Sequence, residues 1–323
     1  MAAYLICLTS GSGLPVFTRS VGNVKPTPND VIGSDILIIM YLDEVVSRLA
    51  FVVVPSNTLL CTLILPSLVL IAVMGRDGAA DDVHMGQLLD NVFNAMVLLY
   101  GLDDLTNIKN VERFKKEIRL CFKLVDTLIQ QSALSTFSDV THAVDVMVTT
   151  EASILQSFLD TFVEAADSPY GCLIAHGRVI AATTKWWELK ATELVLLSLL
   201  IVSFPQCSSR DVPIYLPHGS PTIPHRLLTF ELLGQVELCV ICGPTPTLVE
   251  LEREVPRFWQ AAVDTLRSAS QTSPRNFPTS MDVDSNILGF LLVNVQSNRC
   301  LSSVNLMRER DEPAKHEKRR AVL

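Results

Sequence analysis

Tyr170-Gly-Cys-Leu-Ile-Ala175, then His176-Gly177, then Arg178-Val-Ile-Ala-Ala-Thr-Thr184 form two short apolar runs about a two-residue turn. That pattern predicts a β-hairpin. It also stands near the N-terminus, where residues 4–9 and 14–19 flank Ser10-Gly-Ser-Gly13. It returns in 287–306, where residues 287–295 and 300–306 flank a polar Gln-Ser-Asn turn. Three hairpins at large, unequal gaps are a domain-level repeat and not a solenoid.

Outward from the second hairpin, residues 189–204 hold an apolar core at 194–204, which suits a buried helix and is too short to span a bilayer. Pro205 ends it. Strands are expected at 212–216, 225–233 and 236–242, with Gly243-Pro244 breaking the last. Thr247 with Glu250 three residues on is a capping box. The helix it opens carries Leu248, Leu251, Val255, Phe258, Ala262 and Leu266 at helical spacing, and Pro256 should kink or split it. The module therefore reads β-β-α-β-β-β-α, an α/β fold.

The first module is less regular. Residues 85–100 are apolar almost all round and predict a buried helix stopped by Gly101. A second helix, over 108–131, has Val111, Phe114, Ile118, Cys121, Val125 and Leu128 on one stripe. Its other side carries Glu112, Arg113, Lys115, Lys116, Glu117 and Arg119. Arg113 and Lys116 are candidate interface residues on that charged face, although a mixed-sign face is ordinarily just solvated.

Residues 49–75 contain no charged residue and are long enough to span a bilayer. Pro55 and Pro66 interrupt the run, and Ser56-Asn57-Thr58 is polar. The alternatives are a membrane anchor and two buried strands joined by a Pro-Ser-Asn turn.

The chain of 323 residues has 26 basic and 34 acidic residues, a net −8, which argues against nucleic-acid binding. Hydrophobic residues make up 49% and charged ones 19%, so a large core is expected with apolar surface left for a partner. Eight cysteines lie mostly within apolar runs. They read as buried thiols of a reducing compartment, with the cytoplasm as the default.

No chemical motif is complete. Cys239-Val-Ile-Cys242 is a single CxxC, and its i, i+3 spacing on a strand sends the two thiols to opposite faces. A zinc or redox role would need a histidine such as His225 or a helix N-terminus. His218 and His225 lie in a Pro-rich segment that reads as a rigid turn. Gly11-Ser-Gly13 lacks a following Gly-Lys-Ser/Thr and is no P-loop. No catalytic residue, metal ligand or cofactor site is expected. Trp186-Trp187 is a further interface candidate: if the strand continues that far, one indole packs inward and the other faces out.

Longer strings are more specific. Val92-Phe-Asn-Ala-Met-Val-Leu-Leu99 runs on into Gly101-Leu-Asp-Asp-Leu-Thr-Asn-Ile-Lys-Asn-Val-Glu-Arg-Phe-Lys-Lys116. With Arg178-Val-Ile-Ala-Ala-Thr, Trp186-Trp187 and Tyr215-Leu-Pro-His-Gly-Ser-Pro-Thr-Ile-Pro-His-Arg-Leu-Leu-Thr229, these resemble the Fuzzy family of planar cell polarity effectors, over about residues 1–34 and 63–300. The resemblance implies tandem longin-like domains, each a mixed five-stranded sheet with flanking helices. Residues 1–135 form the first and 136–270 the second. Residues 271–285 are a linker, 286–307 the start of a third such domain, and 308–323 a charged disordered tail. Residues 35–62 and those after Cys300 depart from the family pattern. The resemblance further implies a non-catalytic scaffold that pairs with an Inturned-like longin protein and joins a WD-repeat planar-polarity effector. The pair would act as a guanine-nucleotide exchange module for a Rab-family small GTPase. It would recruit intraflagellar transport proteins at the basal body of the cilium, in cytoplasm and cytoskeleton. The tail, with six Lys/Arg against four Asp/Glu, offers at most a weak anionic-membrane contact.

Overall fold

The computed structural model describes residues 3–22, 49–54, 58–75, 82–134, 143–284, 287 and 289–304. The chain divides into two compact units. One comprises Met1–Val140 with Tyr215–Pro224, and the other Thr141–Ile214 with His225–Leu323.

In the first unit, Gly13 at φ 64 reverses the chain between β1 (Ala3–Thr9) and β2 (Pro15–Val21). The Thr9 N–H donates to the Leu14 carbonyl at 3.0 Å. All seven β1 residues are buried. With β3 (Leu49–Val54), β4 (Thr58–Ile64) and β5 (Leu68–Gly75) these strands form an antiparallel sheet of order β2-β1-β5-β4-β3.

The uncharged run 49–75 thus holds three strands of a sheet where two were expected. The extra turn lies at Leu65-Pro-Ser67, where the Leu65 N–H donates to the Leu68 carbonyl at 2.9 Å. Among the described residues no helix is long and apolar enough to cross a membrane. Of the stretch 35–62 that departs from the family pattern in sequence, residues 49–54 form β3 and 58–62 lie in β4; residues 23–48 and 55–57 lie outside the described residues.

α1 (Asp82–Tyr100) is buried through Leu88, Leu89, Val92, Ala95, Met96, Val97 and Leu98, as its all-round apolar sequence predicts. Gly101, at φ 89, ends it with an N–H bond to the Val97 carbonyl. A short α2 (Leu102–Thr106) follows. The single helix expected over 108–131 is instead α3 (Val111–Glu117), a 3-10 turn (Ile118–Cys121) and α4 (Phe122–Leu134). The tighter turn keeps both Ile118 and Cys121 inside. α4 is held to β2 by Arg19, whose Nε donates to Asp126 Oδ1 at 2.6 Å, and by Phe17 against Phe122 at 5.4 Å.

The second unit repeats the sheet, apart from Tyr215–Pro224, which count with the first unit. β7 (Tyr170–Ala175), β8 (Arg178–Ala182), β9 (Ser209–Leu216), β10 (Ser220–Leu233) and β11 (Val236–Cys242) run in the order β8-β7-β11-β10-β9. Strand for strand this is the permutation of the first sheet. β10 begins earlier than its sequence suggests: Pro221 and Pro224 precede Arg226, where its pairing with β11 starts, so a missing donor on that side is tolerated.

α5 (Ala152–Ala165) precedes the sheet, although the sequence reading leaves it out. Leu155, Leu159, Phe162 and Val163 bury one face of it in a core shared with β7, β8, β10 and β11. α6 (Thr184–Trp187) is one turn long, and α7 (Ala191–Ser203) is the expected buried helix. Thr247 caps α8 (Leu248–Trp259) through the predicted capping box. Pro256 stays within α8, and the break comes at a 3-10 turn (Gln260–Ala262) before α9 (Val263–Ser270).

The third hairpin, β12 (Gly289–Asn294) and β13 (Arg299–Val304), joins this second unit. β13 pairs in parallel with β6 (Val144–Asp145), and Val146 bridges to Val179 of β8. Within the segment expected as a linker over 271–285, Asn276 and Phe277 are buried. Asn276 is 2% exposed, and its Nδ2 donates to the Ser302 carbonyl at 2.8 Å. Phe277 lies 5.4 Å from Phe290. Its prolines and polar residues shape a turn, with Asn276 at φ 69, that long-range contacts hold. The tail 308–323 lies outside the described residues.

Candidate interaction surfaces

Asn110 fixes the start of α3: its side chain accepts the Arg113 N–H at 3.0 Å. This aims Arg113 along the helix, where its Nε donates to Glu117 Oε1 at 2.7 Å. The Tyr100 hydroxyl, from the end of α1, donates to Glu117 Oε2 at 2.8 Å. Glu117 therefore holds two donors. The Arg113 bond, then the Tyr100 bond, keep its carboxyl below the usual range. Burial first, and then the bond to Glu117, push the Tyr100 phenol well above its ordinary value. The Tyr100 ring meets Phe114 edge-on at 5.2 Å.

These groups line an open polar groove of ≈ 380 Å³ with Asp103, Asp104 and Lys109. Arg113 is exposed on its wall, and Lys116 is exposed on the same helix. The sequence reading names Arg113 as a candidate and Glu117 only as part of the charged face, and leaves out Tyr100. The i, i+4 spacing of Arg113 and Glu117 was the available signal.

In the second unit the strand does not reach the tryptophans. β8 ends at Ala182, and Thr183 turns the chain into α6 by accepting the Trp186 N–H at 3.3 Å. Trp186 is 0% exposed, so it is a core residue and presents no surface. Trp187 is half-buried, and the Arg299 guanidinium lies over its ring, 3.7 Å from the centroid. Desolvation lowers the Arg299 pKa, yet a guanidinium keeps its charge.

Cys239 and Cys242 are both buried on β11, and burial raises the pKa of each thiol. Asp211 accepts from Arg226, whose Nε lies 3.1 Å from both its oxygens, instead of partnering a histidine. Arg226 also donates to the carbonyls of Pro244 and Pro246 at 3.0 and 2.9 Å, so it fixes the turn after β11.

Residues 3–128 match the family model described as the first longin domain of FUZ, MON1 and HPS1, and residues 166–260 match the second longin domain of the same proteins. The protein fuzzy homolog of Xenopus tropicalis is 40% identical over 328 aligned positions, covering 100% of this chain and 78% of that protein. The human protein fuzzy homolog is 40% identical over 324 positions, covering 99% and 77%. Among solved structures, Myxococcus xanthus MglB aligns with 38% of this chain and 96% of its own at 16% identity and a TM-score of 0.28, too loosely to bear on function. Two sheets of one permutation, each matched by its own longin model, and relatives about 40% identical along this whole chain place it in the Fuzzy family of longin-domain planar cell polarity proteins.

Proposed function

We propose that this chain is a ciliogenesis scaffold that works as one half of a longin heterodimer with an Inturned-like partner. The observation that carries the reading is the open edge of the first sheet. β3 ends the order β2-β1-β5-β4-β3, with β4 as its one neighbour among the described residues, and its sequence Leu-Ala-Phe-Val-Val-Val holds neither charge nor proline. Such an edge is a template for a partner's strand.

The pair would then serve as an exchange module for a Rab-family GTPase, with a WD-repeat effector alongside. Exchange asks for no covalent chemistry from the factor. A factor that binds the nucleotide-free GTPase more tightly than the loaded one shifts its switch segments toward release. The differential affinity comes from a surface, and the groove bearing Arg113 is the surface of this unit that supports it best. Basal-body localisation and recruitment of intraflagellar transport proteins follow as roles of the assembled complex, with the charged tail as a weak anionic-membrane contact.

The test is co-purification of this chain with an Inturned-type protein, followed by release of fluorescent GDP from a Rab by the purified pair. Failure to co-purify removes the heterodimer. A stable pair that leaves GDP release at the intrinsic rate removes the exchange role and keeps the scaffold.

A further inference from the structure

The outward side of α3, the 3-10 turn and α4 is mixed in charge, and the fold sorts that mixture. Every acid within 111–134 is engaged. Glu112 accepts from Lys115 at 2.9 Å, Glu117 from Arg113 at 2.7 Å and Tyr100 at 2.8 Å, and Asp126 from Arg19 at 2.6 Å. Left over are Lys116, Arg119 and Lys123. All three are exposed, and among the described residues their cationic groups make no ion pair or hydrogen bond. Lys116 adds only a longer-range attraction on Glu112.

Leu120 stands among these cations, 72% exposed. The 3-10 turn is the reason. With three residues per turn it keeps both Ile118 and Cys121 inside and leaves Leu120 outside. Counted from Lys116, the cations fall at i, i+3 and i+7, and the leucine at i+4. Along a helix that is one line of about 10 Å.

We propose that this line docks an acidic amphipathic helix of a partner protein, with carboxylates at the spacing of the three cations and an apolar side chain over Leu120. Charge complementarity chooses the occupant. The chain as a whole carries −8, and Asp103 and Asp104 are exposed on α2, which shares the groove with α3. A bilayer or a nucleic acid of negative charge is broad enough to meet this acidic background as well as the stripe. Charges at physiological salt are felt over about 8 Å, so a helix about 10 Å across meets the stripe and little else. A helix also repeats its side chains at three and four residues, which is the spacing on offer. None of the four residues lines the groove assigned to exchange, so this docking is independent of that role.

Fluorescence anisotropy with the full chain tests this. The probe is a labelled synthetic helix carrying glutamates and a leucine at the spacing of the stripe; a second peptide has the same composition in scrambled order. The ordered peptide should bind, less well as salt rises, and the scrambled one at least about tenfold more weakly. The triple reversal Lys116→Glu, Arg119→Glu and Lys123→Glu should cost more than about tenfold and confer binding to a lysine version of the peptide. Leu120→Ala should cost about five- to tenfold. These side chains are exposed, so far-UV circular dichroism should not change. Arg253→Glu, an exposed cation of the other unit, should leave binding as it is. No binding, equal binding of the two peptides, or indifference to the triple reversal overturns the proposal. Vesicles of phosphatidylserine and phosphatidylcholine that bind through the stripe while neither peptide does overturn it in favour of a membrane.

Discussion

Arg299 of β13 stacks on Trp187 of α6, with 112 positions of sequence between them, its guanidinium carbon 3.7 Å from the ring centroid. The contact ties the third hairpin to the second module where backbone pairing is thin, since β6 offers β13 only two residues, Val144 and Asp145. A half-desolvated cation over an indole is worth about 0.5–2 kcal/mol. A double-mutant cycle of Arg299→Ala and Trp187→Phe, read by urea denaturation, should give a coupling of about 1 kcal/mol. Strict additivity would show that the stacking contributes nothing.

Gly171 of β7 faces α5 at a distance no side chain fits. A Cβ there would lie 2.3 Å from Val163 Cγ1 and 3.2 Å from Leu159 Cδ1. Gly171→Ala should destabilise the second unit by about 1–3 kcal/mol through overpacking. Adding Val163→Ala makes room, so the double variant should lose less than the sum of the two. The denaturation midpoints of the three variants decide it.

Thr183 serves three backbone groups. Its hydroxyl oxygen accepts from Gly171 N at 3.2 Å and from Trp186 N at 3.3 Å, and it donates to the Pro169 carbonyl at 2.7 Å. Thr183→Val keeps the shape and strands these groups, at a cost of about 1–3 kcal/mol. Thr183→Ser should recover most of that. Equal stability of the valine and threonine proteins would refute the cap.

Tyr100 and Glu117 make a pH prediction of definite sign. Tyr100 has a folded-state pKa above its unfolded value of about 10. Its contribution is therefore complete below that value and is lost as pH rises through the folded pKa. Glu117 is depressed, so its contribution is present above the unfolded carboxylate pKa and fades as acid titrates the folded one. Ultraviolet titration of the folded protein should show a tyrosine ionising later than the rest. Glu117→Gln should bring it forward. An unchanged profile would mean that the hydrogen bond is absent in solution.

The hairpins were legible because Gly13 and Gly177 stand where the chain needs positive φ, at 64 and 77, and apolar runs flank each. The capping box at Thr247 and Glu250 was legible for a similar reason: both partners lie within one turn. Where evidence was distant in sequence, the reading went astray. Within 49–75 every residue is uncharged, so composition could not place the turn at Leu65-Pro-Ser67 that makes three strands of it. The polar segment 271–285 looked like a spacer because the acceptor for Asn276, the Ser302 carbonyl, lies 26 positions on. Whether the strand continues to Trp186 and Trp187 was open in the sequence, because threonine at 183 suits a strand as well as a cap. Only the Trp186 N–H bond distinguishes the two. Of the candidate surface residues, Arg113 could be read from its charged stripe, but the burial of Trp186 could not.

The parallel pairing of β13 with β6 also bears on how the chain folds. Cys300 donates its thiol to Asp145 across 155 positions, and among the described residues no nearer segment occupies that edge of β6. During synthesis the first unit and the second five-stranded sheet have all their strands once residue 242 has emerged. β6, made a hundred residues earlier, waits exposed until residues 299–300 arrive. Such high-separation closure is slow because its entropic cost falls due before its contacts form. The nascent chain therefore carries an unsatisfied backbone edge from residue 145 until residue 299 is made, and that interval is when a chaperone has the most to protect.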